Sequence, residues 1–89
     1  MKAILITTEH RGVFFGYVHD RQEMTARTMS LNGARCAIYW GTTKGVAELA
    51  ETGPTKASRI GAAADILAIH DITAVWAVTA GAEQKWLNA

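Results

Sequence analysis

Thr7-Thr8-Glu9-His10-Arg11-Gly12-Val13-Phe14-Phe15-Gly16-Tyr17 follows directly on the apolar run Ala3-Ile4-Leu5-Ile6. Four apolar residues in a row, followed by β-branched ones, predict a strand buried on both faces. His10-Arg11-Gly12 reads as a hairpin turn in which Gly12 is free to take a positive φ. Val13 to Val18 returns as an aromatic strand, with Val13, Phe15 and Tyr17 on one face and Phe14 and Val18 on the other. Gly16 leaves a gap on that second face, suited to a bulge or to the close approach of another group. The hairpin would hold His10 and Arg11 side by side at the rim of a small sheet. An imidazole and a guanidinium placed there can grip an anion, although the same turn also serves as a plain solvated connection.

Beyond the hairpin, His19 to Glu23 has the composition of a surface turn. Thr25, Arg27, Met29 and Leu31 alternate with Ala26, Thr28 and Ser30, which predicts a strand. Asn32-Gly33 is a strong turn dipeptide. Arg35 to Trp40 reads as another short strand, with Arg35, Ala37 and Tyr39 pointing one way and Cys36, Ile38 and Trp40 the other. Thr42 and Thr43 offer a hydroxyl cap for a short helix whose Val46, Leu49 and Ala50 share a face, and Gly53-Pro54 stops it. Thr55 to Asp65 carries little pattern and reads as an irregular connection, a kind of segment that often carries function. Ile66 to Ile69 and Ile72 to Val78 are the last strand signals, with His70-Asp71 as a bend between them. Thr79 or Gly81 then leads into a terminal helical turn that stacks Ala82 under Trp86. The sum is an α+β, mainly β fold in one domain, residues 1–89. Its expected form is a small, strongly bent antiparallel sheet or half-closed barrel of five to six strands with two short helices.

Composition narrows the function classes. The 89 residues are 49% hydrophobic and 19% charged, with net charge +1. So few charges on so small a domain imply that some apolar surface faces a partner subunit, and a homo-oligomer is expected. Nine basic residues dispersed among eight acidic ones form no basic stripe, so neither DNA nor RNA is an expected partner. No apolar run reaches the ~20 residues that span a bilayer, and the N-terminus has too brief an apolar stretch for a signal peptide. The lone Cys36 excludes an intrachain disulfide and reads as a small buried hydrophobe. A cytoplasmic protein without membrane contact is expected.

Chemistry-bearing patterns are sparse. His10, His19 and His70 have no metal-ligand spacing, and Ser30, Ser58 and Cys36 lack a nucleophile-elbow setting. Asp65 and Asp71 form a carboxylate pair only if the fold brings them together. The expectation is a protein without catalytic residues, metal or cofactor. Binding has better support. Gly53-Pro54-Thr55-Lys56-Ala57-Ser58-Arg59-Ile60-Gly61 puts two cations and two hydroxyls in one loop, the groups that hold phosphates, although not in Walker order. Arg35 with Tyr39 offers a guanidinium beside an aromatic ring, suited to a stacked base. Trp40, Trp76 and Trp86 read as core or subunit-contact residues.

The ordered set Thr7-Thr8-Glu9-His10-Arg11-Gly12-Val13-Phe14-Phe15-Gly16, Ala34-Arg35-Cys36-Ala37-Ile38-Tyr39-Trp40, Thr52-Gly53-Pro54 and Ser58-Arg59-Ile60-Gly61, followed by Ile72-Thr73-Ala74-Val75 and Trp86, resembles a family of short, functionally uncharacterised bacteriophage and prophage proteins. The chain departs from that pattern at Gly61-Ala62, where the family pattern has proline after the glycine. The resemblance implies a role in the host cytoplasm during infection. Small phage proteins of this kind are often counter-defence factors, either sponges for a nucleotide immune signal or blockers of a host defence protein; a minor virion or assembly component is a further class. The expected ligand is a phosphate-bearing nucleotide, held by His10, Arg11, Arg35, Lys56, Ser58 and Arg59, with Tyr39 stacked on its base.

Overall fold

The computed structural model describes residues 1–9, 12–39, 45–56 and 58–89, with Tyr39 described through its backbone. Its strands are β1 (Lys2–Thr8), β2 (Val13–Val18), β3 (Met29–Tyr39), β4 (Arg59–Ile60), β5 (Ala64–Ile69) and β6 (Ile72–Ala77), with helices α1 (Val46–Glu51) and α2 (Ala80–Asn88). Every pairing is antiparallel. The order is β4-β3-β2-β1-β6, and β5 also pairs with β3. The mainly β, α+β architecture is the expected one.

The β1–β2 hairpin follows the sequence pattern closely. Its register sets Thr7 opposite Val13 and Leu5 opposite Phe15. Ile4, Leu5 and Ile6 are all buried, because both faces of the sheet are covered. One face meets the cluster of Ile4, Ile6, Val18, Met29, Leu31 and Ile69; the other meets Leu5, Val13, Phe15, Leu49 and Trp86 beneath the two helices. Glycine at 12 answers to space rather than to a left-handed backbone, since a Cβ there would lie 2.7 Å from Thr8 Oγ1 and from Phe14 Cε2. Gly16 is the close approach anticipated for it: an added Cβ would come within 3.0 Å of Leu31 Cβ.

Three expectations are corrected. Asn32-Gly33 does not turn the chain; β3 runs straight through it from Met29 to Tyr39. Gly33 does take a left-handed φ of 57°, but inside a bulge. Between Leu31↔Ile66 and Ala34↔Ala64, β3 advances three residues while β5 advances two. The Gly33 N–H, turned out of the ladder, donates to Asp65 Oδ1 at 2.8 Å. An Asn-Gly pair reverses a chain only when the residues beyond it can pair with those before it. Here β2 and β5 occupy the two edges of β3 instead. Second, residues 25–28 precede the strand rather than belong to it. Third, the stretch read as an irregular connection contains β4 and the start of β5, which together line the free side of β3. The expected Thr42 or Thr43 cap and Trp40 lie outside the described residues.

The sheet is open, because β5 and β6 do not pair with one another. Only His70 and Asp71 separate them, however, and the Ile72 N–H donates to the Arg27 carbonyl at 3.2 Å. A step from residue 69 to 72 spans at most about 10 Å, whereas the outer strands of a flat five-strand-wide sheet lie about 19 Å apart. The sheet therefore bends, and the first half of β3 carries β5 over one face. Asp71, at φ 57°, makes the sharp step.

A cleft between the loop 54–58 and the last turn of α2

Helix α1 ends at Thr52 and Gly53, whose N–H groups both donate to Glu48 O, and buried Pro54 turns the chain outward. The loop then closes on itself. Ser58 N–H donates to Thr55 O at 3.0 Å, and Thr55 N–H donates to Ser58 Oγ at 3.4 Å. The Ser58 hydroxyl thus shapes the loop, the part that serine and threonine commonly play in turns.

Helix α2 crosses the opposite side. Thr79 caps it by accepting from Ala82 N–H at 3.1 Å, and Ala82 and Trp86 are buried against the sheet. The inward face is fixed by that pair, so Lys85 and Asn88, three apart on the helix, stand together at its edge. Between loop and helix lies an open cleft of about 450 Å³, walled by Pro54, Thr55, Lys56, Ser58 and Ile60 on one side and Lys85, Asn88 and Ala89 on the other. Lys56 and Lys85 line it from different elements. The carbonyl end of a helix carries partial negative charge, which works against an anion. Arg35 offsets it: its guanidinium donates to Trp86 O at 2.7 Å and to Gly61 O at 2.9 Å.

Of the residues anticipated for the site, Lys56 and Ser58 lie together in this cleft. Arg35 is turned to the end of α2, where its Nε donates to Gly61 O and its Nη1 to Trp86 O. Arg59 is exposed on β4, with its backbone opposite Tyr39, and does not line the cleft. His10, Arg11 and the Tyr39 side chain lie outside the described residues. Lys85 and Asn88 were not anticipated. Their helical spacing was visible in the sequence, but nothing local says which loop they would face.

The remaining titratable groups are structural or exposed. Asp65 lies near the start of β5 and Asp71 in the bend past its end, six residues on along the chain, and no pairing joins them. Among the described residues no group of three or more His, Cys, Asp or Glu side chains is placed to hold a metal ion. Cys36 is half-buried, and burial pushes its thiol pKa up. Tyr17 Oη donates to Glu83 Oε2 at 2.6 Å, tying α2 to β2. Burial first, then this bond to the Glu83 carboxylate and its negative charge, push the Tyr17 phenol from 10.0 up to about 12. A phenol held neutral in the fold but free to ionise in the unfolded chain loses protons first from the unfolded state. Its contribution is therefore intact below about pH 10 and is lost as pH rises toward about 12. Tyr17→Phe should flatten that part of the alkaline decline, read as denaturant midpoints taken between pH 8 and pH 12. Parallel wild-type and variant curves would show that the phenol does not contribute.

No helix among the described residues is long and apolar enough to cross a membrane. No curated protein and no solved structure matches the chain. A family model does, across residues 1–86, and its extent takes in every described strand and both walls of the cleft up to Lys85. The chain belongs to that family, DUF6948, a domain of unknown function.

Proposed function

We propose that this protein binds a phosphate-bearing nucleotide in the cleft between the loop 54–58 and α2, without turning it over. The observation that carries this reading is the convergence of Lys56 and Lys85 on one cleft from two separate elements. Ammonium groups on opposite walls suit a phosphate, and the apolar flank of Pro54 and Ile60 suits a ribose or base. A volume of about 450 Å³ lies within the roughly 300–1,000 Å³ of small-molecule sites. The resemblance to phage proteins gives the binding a purpose: sequestration of a nucleotide immune signal in the host cytoplasm during infection.

Calorimetric titration of the full chain with AMP, ADP-ribose and cyclic dinucleotides tests this. At least one should bind, and Lys56→Glu with Lys85→Glu should weaken it by about a hundredfold or more, since each charged hydrogen bond contributes about 1.5–3 kcal/mol. Arg59→Ala, outside the cleft, should leave binding unchanged. Silence across the panel, or wild-type affinity in the double variant, would overturn the proposal. The competing reading is a blocker that docks through exposed aromatic residues, and binding of a host protein with no nucleotide bound would favour it.

A further inference from the structure

The two edges of the sheet are finished differently. β6 is tied down at both ends, where Ile72 N–H donates to Arg27 O and Thr79 N–H, just past the strand, donates to Ala50 O. Thr73 adds a side-chain bond to the Thr7 carbonyl beside it. Just past β5, Thr28 Oγ1 lies 3.3 Å from His70 Nδ1. β5 itself pairs with β3 alone, and among the described residues no backbone hydrogen bond outside that ladder falls on residues 64–69.

Natural edge strands are commonly guarded by lysine, proline or an outward charge. From Ile60 to His70 the chain has no lysine, arginine or proline, and its one acidic side chain is Asp65. That carboxylate does not guard the edge, because it is drawn back onto Gly33 N–H. The strand does bulge. Between Met29↔Ile69 and Leu31↔Ile66, β5 advances three residues against two on β3. The bulge falls at Leu67-Ala68 and pushes Leu67 outward to 90% exposure, the highest of any large apolar side chain described. A bulge shortens the ladder an edge can form; this one also presents a leucine at its middle.

We propose that β5 is a self-association edge, which pairs antiparallel with β5 of a second copy of this chain about a twofold axis near Leu67. An antiparallel edge is self-complementary about such an axis, so one strand supplies both halves of the interface. The charge pattern permits this occupant. With Leu67 facing its own counterpart, Asp65 of each copy lies across from Ile69 of the other. The two carboxylates are then about 14 Å apart along the strands, beyond the ~8 Å screening length at physiological salt. The Leu67 side chains leave water together. So short an interface is smaller than a standard one and gives a weak, concentration-dependent dimer. Nothing in this pairing depends on the cleft.

Sedimentation equilibrium of the full chain, carried to about 0.5 mM, should show a monomer–dimer equilibrium. Leu67→Lys should weaken it at least about tenfold with unchanged thermal unfolding, because the side chain is exposed in the monomer. Ile38→Lys, on an exposed position outside β5, should leave it intact. Amide protons of residues 64–69 should gain exchange protection as dimer forms. A strictly monomeric wild type, a Leu67→Lys variant that dimerises normally, or β5 amides that stay unprotected in the dimer would each overturn the proposal; a monomer that takes up a foreign strand at β5 would do so as well.

Discussion

Trp86→Ala should leave the chain largely unfolded at room temperature. Trp86 is fully buried at the centre of the cluster beneath the helices. Its ring stacks on Phe15 with centroids 5.2 Å apart and planes within 6°, and its Nε1–H donates to the Leu49 carbonyl at 3.0 Å. One side chain thus joins β2, α1 and α2. Truncating a buried tryptophan costs about 3–5 kcal/mol, and stranding a buried carbonyl adds about 1–3. Domains have about 5–15 kcal/mol in total, and one of this length sits toward the low end. Circular dichroism and urea titration would measure the loss. Trp86→Phe keeps the stack and loses only the hydrogen bond and the excess volume, so it should fold with a reduced midpoint. A folded, cooperative Trp86→Ala variant would mean that the helices do not depend on this anchor.

Arg35→Met should destabilise the fold by about 3–6 kcal/mol, because it removes two hydrogen bonds from a charged donor, each contributing about 1.5–3 kcal/mol. The guanidinium joins Gly61, before β5, to Trp86, near the end of α2. Methionine fills a similar length and offers no donor, so two carbonyls lose their partner. Thermal unfolding measures the effect. The variant also separates two roles for this residue. A ligand-holding arginine would lose affinity at constant stability, whereas a bracing one loses stability first. An unchanged melting temperature would return Arg35 to the ligand-binding candidates.

What could be read from residue order follows the range of the interactions. The β1–β2 hairpin was legible because Ile4-Leu5-Ile6 and the alternation of Val13, Phe15 and Tyr17 are decided by neighbours within a few positions. The stop at Gly53-Pro54 and the inward pairing of Ala82 with Trp86 were legible for the same reason. Asn32-Gly33 misled because its local preference for a turn is satisfied equally well by a bulge, and the choice belongs to β2 and β5. Arg35 shows the limit of local reading. Two of its partners lie 26 and 51 residues away, so nothing near it in the chain indicates that its guanidinium also braces the protein's own carbonyls.

The sequence by itself determined a mainly β domain with one strongly specified hairpin, two short helices of known inward face, and a loop carrying Lys56 and Ser58. Only the tertiary structure decided which cations share a space. It set Lys85 and Asn88 across from that loop, left Arg59 outside, turned Arg35 inward and left β5 paired, among the described strands, with β3 alone. The reason is physical: periodicity fixes which way a side chain points from its own element, but the neighbour it meets depends on how distant elements bury their apolar faces against each other.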